Sequence, residues 1–456
     1  MKMGFARKDI SPTQLLKAGH TGKSSGSDVV PLAGYLLDRR CQGIHDRLYA
    51  RALVFKGNAG LTAILQLDLL NLDHITLEKI HKGLAALGLE KKQLLVCAAH
   101  THSGFGGIFD TSRGINQELL PLLGAFDPHL LDLVVTQSLT CIAEAAASCE
   151  ETMVRINRGT IDSLGANRHD PDLPADKDFF AMELYRIDRK KVLLYNLSCH
   201  PTVMNGENLL LSADFPGAVA ARLEDVPEGY DMVVFINGAA GDMSTRFTRE
   251  ESSFTECSRF ALLIEETLRA LKNGVFLPLE KVQLEYHTIL LDRAEIPGLE
   301  TAEVNLAAAL QNLDMAKSHD NPQKIRKAES FVEGAKINLI KAQYAAPVKR
   351  RKTTKAAAKV SARVRKPAAV LSEIPVETGI LRINSTTAVC PPLELFSTLA
   401  LPLKKEKSVE IFGYANALLG YLADREAYDN MDYEALSSDF KRGEGERYIE
   451  LMAALL

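Results

Sequence analysis

Through roughly the first 290 residues, short apolar runs of strand length alternate with amphipathic stretches of helix length. This alternation constrains the fold more than any other feature of the chain. "RALVFKGNAGLTAILQLDLL" reads as two strands joined by a loose turn at Gly57-Asn58. "ITLEKIHKGLAALGL" carries apolar residues at helical spacing, and "LLVCAA" then reads as a buried strand. "HLLDLVVTQSLTCIAEAAASC" reads as a long helix followed by the strand "TMVRINRGTI", and "KVLLYNLSCH" and "DMVVFING" as two more apolar strands. A further helix runs through "CSRFALLIEETLRALKNG" to an Asn-Gly stop. Strands interleaved with helices imply an α/β fold of mixed β-sheets flanked by helices.

The segment 299–344 breaks the rhythm. Two helical patterns flank "SHDNPQ", which predicts an inserted helical hairpin. A basic loop over 345–370 follows, and its stretch 348–366 holds nine Lys or Arg and no acid. Such a stretch is either an interaction tail for acidic partners or a solvated, partly disordered surface loop. The α/β pattern resumes in "TGILRINSTTAVC", so residues 1–456 read as one domain carrying two insertions. With 46% hydrophobic and 25% charged residues and a net charge of −4, nothing points to nucleic acid or a membrane surface. No run of about 18 apolar residues is read from the sequence. The opening "MKMGFARKDISP" lacks the apolar centre of a signal peptide. Both features predict a cytoplasmic protein without a transmembrane segment. Seven cysteines without a CxxC spacing argue against a disulfide framework or a Cys-rich zinc knuckle.

Three apolar strands end in residues that carry chemistry. In "LLVCAAHTHSGFGG", His100 and His102 stand two apart, which puts both imidazoles on one face of an extended chain. Such a pair fits a metal site and equally a structural role. "NLSCHPTVM" ends a second strand in His200, and α/β proteins place their sites at strand ends. Asp214 in "LSADFPG" is expected to cap the helix that follows, with orientation of an imidazole as its other reading. "INGAAGDMSTR" supplies small residues, Asp242 and Ser244. Its backbone N–H groups suit an oxyanion, and Ser244 suits a nucleophile, a positioning donor or a helix N-cap. The loop has neither a Walker "GK[ST]" ending nor a GxSxG elbow.

In order along the chain, "HTHSGFGG", Asn167-Arg168, "CHPT", "GAAGDMS" and "PPLELF…GYANALLGYLADREAYDNMDYE" resemble the neutral/alkaline non-lysosomal ceramidase family, as do "ARKDISP" and "GIHDRLYARALVF". The resemblance covers essentially everything but the basic insertion. It implies a Zn²⁺-dependent amidase that cleaves an N-acyl C–N bond with metal-activated water. It assigns His100, His200, Glu394 and Tyr421 to the metal, and His102, Arg168, Ser244 and Tyr433 to catalysis. The implied substrate is a small N-acyl amide or lipid-like molecule. Read without the family, Glu394 is an ordinary helix-start carboxylate and Tyr421 a core-edge aromatic. Phe105, Leu393 and Thr245-Arg246 depart from the family pattern, and its secretion signal and carboxy-terminal β-sandwich are not seen. These departures leave two other readings: a zinc hydrolase of an ester or small polar amide, and a non-catalytic binding or scaffold protein.

Overall fold

The computed structural model describes residues 1–17, 30–58, 60–109, 120–224, 226–271, 274–318, 322–345 and 372–456. The basic stretch 348–366 lies outside the described residues. Two compact units are distinguished: Met1–Thr288 with Glu377–Tyr421 and Ile449–Leu456, and Ile289–Val376 with Leu422–Tyr448.

In the first unit eight strands form the main path of one mixed sheet: β1 (Lys2–Asp9), β2 (Tyr49–Gly57), β3 (Gly60–Leu67), β4 (Leu94–Ala98), β5 (Glu150–Thr160), β6 (Asp178–Arg186), β7 (Lys191–Leu197) and β8 (Met232–Asn237). Their order is β8-β7-β6-β5-β1-β2-β3-β4. The outermost pair at each end is parallel, β8 with β7 and β3 with β4, and the interior pairs are antiparallel. The end strands β4, β7 and β8 are the continuous apolar runs, as expected for strands covered on both faces.

The helix Pro128–Ala147 covers one face. It starts with Asp127 accepting from the His129 N–H and proline in its first turn. Leu130, Val134 and Ile142 are buried against Ala50, Ala52 and Val54. The approach is so close that a Cβ at Gly4 would lie 1.8 Å from the Ala145 carbonyl oxygen. Among the described residues this one helix is long and apolar enough to cross a membrane, by length and composition alone, although Asp132, Gln137 and Glu144 interrupt it. Its apolar character has a local cause, because one broad face has to match a wholly apolar sheet surface. On the other face, helices Asp214–Glu224 and Phe254–Ala270 bury Phe215, Val219, Phe260 and Ile264 against Leu193, Tyr195, Val233 and Phe235.

The two ends of the sheet are joined by a late piece of chain. Residues 413–416 bond to both outer strands: Asn416 N–H to Val96 O at 2.7 Å, Ala98 N–H to Tyr414 O at 3.1 Å, and Gly413 N–H to Asn237 O at 2.9 Å. Asn237 adds a side-chain tie, donating from Nδ2 to Cys199 O at 3.0 Å. The residues that follow β4, β7 and β8 thereby open onto one place. A smaller sheet anchors the strip, with Thr386–Cys390 antiparallel to residues 379–383 and parallel to Glu410–Ile411.

The second unit contains helices Leu299–Ser318 and Pro322–Ala345, packed through Leu306, Ala309, Leu313, Phe331, Val332 and Ala335. Lys341 fastens them to the following chain by donating to Ser437 O and Asp439 Oδ1, both at 2.7 Å. All seven cysteines are free, and Cys97 and Cys199 are buried.

Candidate metal centre

His100 follows β4 in a left-handed backbone conformation, φ 68°, which turns the chain sharply at the strand end. Its Nδ1 lies 2.8 Å from Leu70 O. His200 follows β7, with its Nδ1 2.9 Å from Met243 O. A carbonyl only accepts, so in both rings Nδ1 carries the proton and Nε2 presents a lone pair. Both lone pairs meet Glu394: His100 Nε2 is 3.2 Å and His200 Nε2 3.3 Å from Oε2. His102 Nε2 lies 3.3 Å from His100 Nε2.

These spacings match ligands on one ion. Donors about 2.0–2.1 Å from a tetrahedral cation stand about 3.3 Å from each other. Hydrogen bonding among the groups themselves accounts only for the His100–His102 contact. His200 Nε2 and Glu394 Oε2 are buried without a hydrogen-bond partner among the described residues, as is His102 Nδ1. Acceptors this close repel unless a cation or proton lies between them. Burial, only partly opposed by Glu394, pushes His200 down to about 4, and burial followed by the neighbouring imidazoles pushes His102 well below the usual range. Both rings are therefore neutral, the form that binds metal. Burial alone would raise the Glu394 carboxyl, and only positive charge beside it, on the adjacent imidazoles or on an ion in their place, holds the group far below the ordinary carboxylate range.

Glu394 is placed by the loop after β8. Gly241 N–H donates to Leu395 O at 2.9 Å, and a Cβ at Gly241 would lie 2.5 Å from Glu394 O. Glycine permits that approach. Asp242 is fully buried and accepts from Ser397 N–H at 2.6 Å and Ser397 Oγ at 2.9 Å, holding the helix Ser397–Lys407 by its first turn. Burial raises the Asp242 carboxyl to about 7, with Ser397 only partly opposing.

Tyr421 adjoins Glu394, whose N–H bonds Gly420 O at 2.9 Å, and its hydroxyl is 3.4 Å from Arg168 Nη1. Arg168 also donates to Gly241 O at 3.3 Å. Ser244 forms an isolated bridge with His200 and accepts from Arg246 N–H at 3.3 Å, so it is not a helix N-cap. The structure therefore brings His100, His102, His200 and Glu394 into one cluster, with Arg168, Tyr421 and Ser244 beside its supporting strands. Tyr433 belongs to the second unit, where it opens the short helix Tyr433–Ser437. Asp214 has a role other than the expected cap. Its carboxylate accepts from the N–H groups of Val203, Met204 and Phe215 and pins the chain that follows His200.

Two contributors were missed in the sequence. Arg39 is buried and donates to His102 O at 2.7 Å, and Gly34, at φ 105°, leaves room for the His102 ring. Tyr414 packs its ring 4.2 Å from that of His100. Burial first, and then the charge of Glu394, pushes its phenol well above the ordinary range. Only the pairing of residues 413–416 with β4 brings Tyr414 here, and no local pattern announces that pairing.

The fold is shared with solved ceramidases. The chain superposes on neutral ceramidase from Pseudomonas aeruginosa with a TM-score of 0.68 at 18% identity, covering 99% of this chain and 73% of that one. A ceramidase complexed with C2 gives 0.70 at 17% identity, covering 99% and 74%. Among curated proteins, neutral ceramidase of Mycobacterium tuberculosis is 29% identical over 236 residues, 45% of this chain and 36% of that protein. Neutral ceramidase 2 of Arabidopsis thaliana is 26% identical over 239 residues, 48% of this chain and 30% of that protein. The chain thus spans about a third of the length of these curated relatives. The family model for the amino-terminal region of neutral/alkaline non-lysosomal ceramidases matches residues 17–261, more than half of the chain, and the protein belongs to that family.

Proposed function

We propose that this chain is a zinc-dependent hydrolase of an N-acyl amide bond, with a ceramide-like lipid amide as its substrate class. The observation that carries this reading is the convergence of buried donor atoms from His100, His200 and Glu394 at ligand-to-ligand spacing, with His200 Nε2 and Glu394 Oε2 lacking a hydrogen-bond partner among the described residues. Two imidazoles and a carboxylate supply the nitrogen and oxygen donors that Zn²⁺ prefers. Family membership supplies the bond type. A zinc ion held there would lower the pKa of water from about 15.7 to about 7 and polarise an acyl carbonyl.

The protein's own groups divide the remaining work. His100, His200 and Glu394 hold the ion, and the resemblance adds Tyr421 as a fourth donor. His102 is neutral and adjacent, and takes the proton of the attacking water as general base or completes the ligand set. Arg168, with the backbone at Gly241, stabilises the oxyanion that develops as the amide carbonyl becomes tetrahedral. Ser244 positions the acyl group from its place beside His200.

Metal content by elemental analysis tests the site, and hydrolysis of a panel of N-acyl sphingoid amides, short N-acyl amides and esters tests the bond. Wild type is expected to carry about one zinc per chain and to lose hydrolysis to a chelator. His100→Ala is expected to lose both zinc and hydrolysis. Retention of both would overturn the ligand assignment. Turnover of esters alone would move the substrate class, and an acyl group trapped on Ser244 would replace direct attack by water.

A further inference from the structure

Tyr414 stands where the reading above assigns no role. Its ring centroid lies 4.2 Å from that of His100 and 6.2 Å from that of His200, so it sits against both imidazoles. The residue is 1% exposed, and its hydroxyl has no hydrogen-bond partner among the described residues. A buried hydroxyl left unsatisfied costs about 1–3 kcal/mol. A phenylalanine would fill the same space without that cost. The backbone is also held in place, in a left-handed conformation at φ 54°, by the Ala98 N–H bond to Tyr414 O. The chain therefore presents the ring at one fixed position beside the ligands.

The other unpartnered atoms of this cluster are His102 Nδ1, His200 Nε2 and Glu394 Oε2, and the last two are acceptors that a cation explains. Tyr414 Oη carries a proton to donate, which a cation cannot receive. An oxygen atom of something bound at the centre can receive it. We propose that the Tyr414 hydroxyl is the hydrogen-bond donor to the acyl oxygen of the bound substrate and to the carboxylate of the acid product. This rests on the hydrolase reading above, and it makes Tyr414 a residue that touches the reacting group.

The test uses the full-length chain loaded with zinc, wild type against Tyr414→Phe, with octanoate as a carboxylate probe. Zinc stoichiometry and thermal midpoint should be unchanged in the variant, because the ring and its packing remain. Calorimetric affinity for octanoate should fall about tenfold, and kcat on the N-acyl substrate should fall by at least as much. Equal octanoate affinity in the two proteins would overturn the proposal and leave the phenol as filler. Loss of zinc or a lower thermal midpoint in Tyr414→Phe would also overturn it, since the hydroxyl would then serve the folded scaffold. A wild type that binds no zinc would instead overturn the hydrolase reading, which separates the two failures.

Discussion

At the scale of single residues, the centre is built by removing alternatives. His100 and His200 have their Nδ1 protons committed to carbonyls, so each has one atom left to offer. Asp242 is bound by donors on several sides yet remains hard to ionise, and this gives a pH signature. Its carboxyl is raised to about 7 in the folded protein against an unfolded value near 3.8. A raised carboxyl contributes stability that is fully present below the unfolded value and is lost as pH rises through the folded one. Asp242→Asn cannot ionise. It should therefore gain on wild type, by on the order of 4 kcal/mol, between about pH 4 and pH 8. Urea unfolding at several pH values measures this, and a difference that stays constant with pH would show that Asp242 titrates as it does in the unfolded chain.

At the scale of elements, the strip 413–416 decides whether the ligands meet. A Cβ at Gly413 would lie 2.4 Å from Gly238 O, a backbone atom that cannot rotate away. Gly413→Ala is expected to destabilise the fold by about 1–3 kcal/mol and to weaken zinc binding, read by denaturation and by competition with a metal dye. Gly298→Ala, where a Cβ meets nothing within 4 Å, should change neither and serves as the control. The strip also marks where reading the sequence stops. β2, β3, β4, β7 and β8 were legible because their apolar runs and bounding turn residues are local signals. His100 and His200 were legible as strand-end histidines. Glu394 and Tyr421 were found only through ordered resemblance, because a carboxylate before a helix looks ordinary until another strand's loop is seen to hold it. Arg39 had no signal, and Tyr414, although inside the resembling stretch, had no role assigned, since each is brought to the site by partners far away in sequence. Asp214 looked like a cap because it precedes a helix, and its capture of the Val203 and Met204 amides depends on a loop fold that no spacing encodes.

At the scale of the whole molecule, the metal donors come from three distant stretches, and the seam that gathers them closes through Asn416 and Val96, 320 positions apart. Pairing at such separation is slow, because the chain entropy must be spent before the contact repays it. Refolding from urea is therefore expected to show a slow phase in which zinc uptake and final burial of β4 appear together, with a faster phase for the β1–β2–β3 meander. Stopped-flow release from a metal dye, run alongside intrinsic tyrosine fluorescence, measures this. Zinc uptake in the fast phase would mean that the histidines bind before the seam forms. The same geometry carries a consequence for biosynthesis. A ribosome adding about 5–20 residues per second exposes the far edge of β4 for some tens of seconds before its partner exists. From the synthesis of His200 until that of Glu394, the nascent chain holds both histidine ligands and an unpaired apolar strand edge, but not the carboxylate. Zinc capture would then coincide with the end of the vulnerable period, and a chaperone that shields β4 until residues 413–416 arrive would raise the yield of metal-loaded protein without touching the finished site.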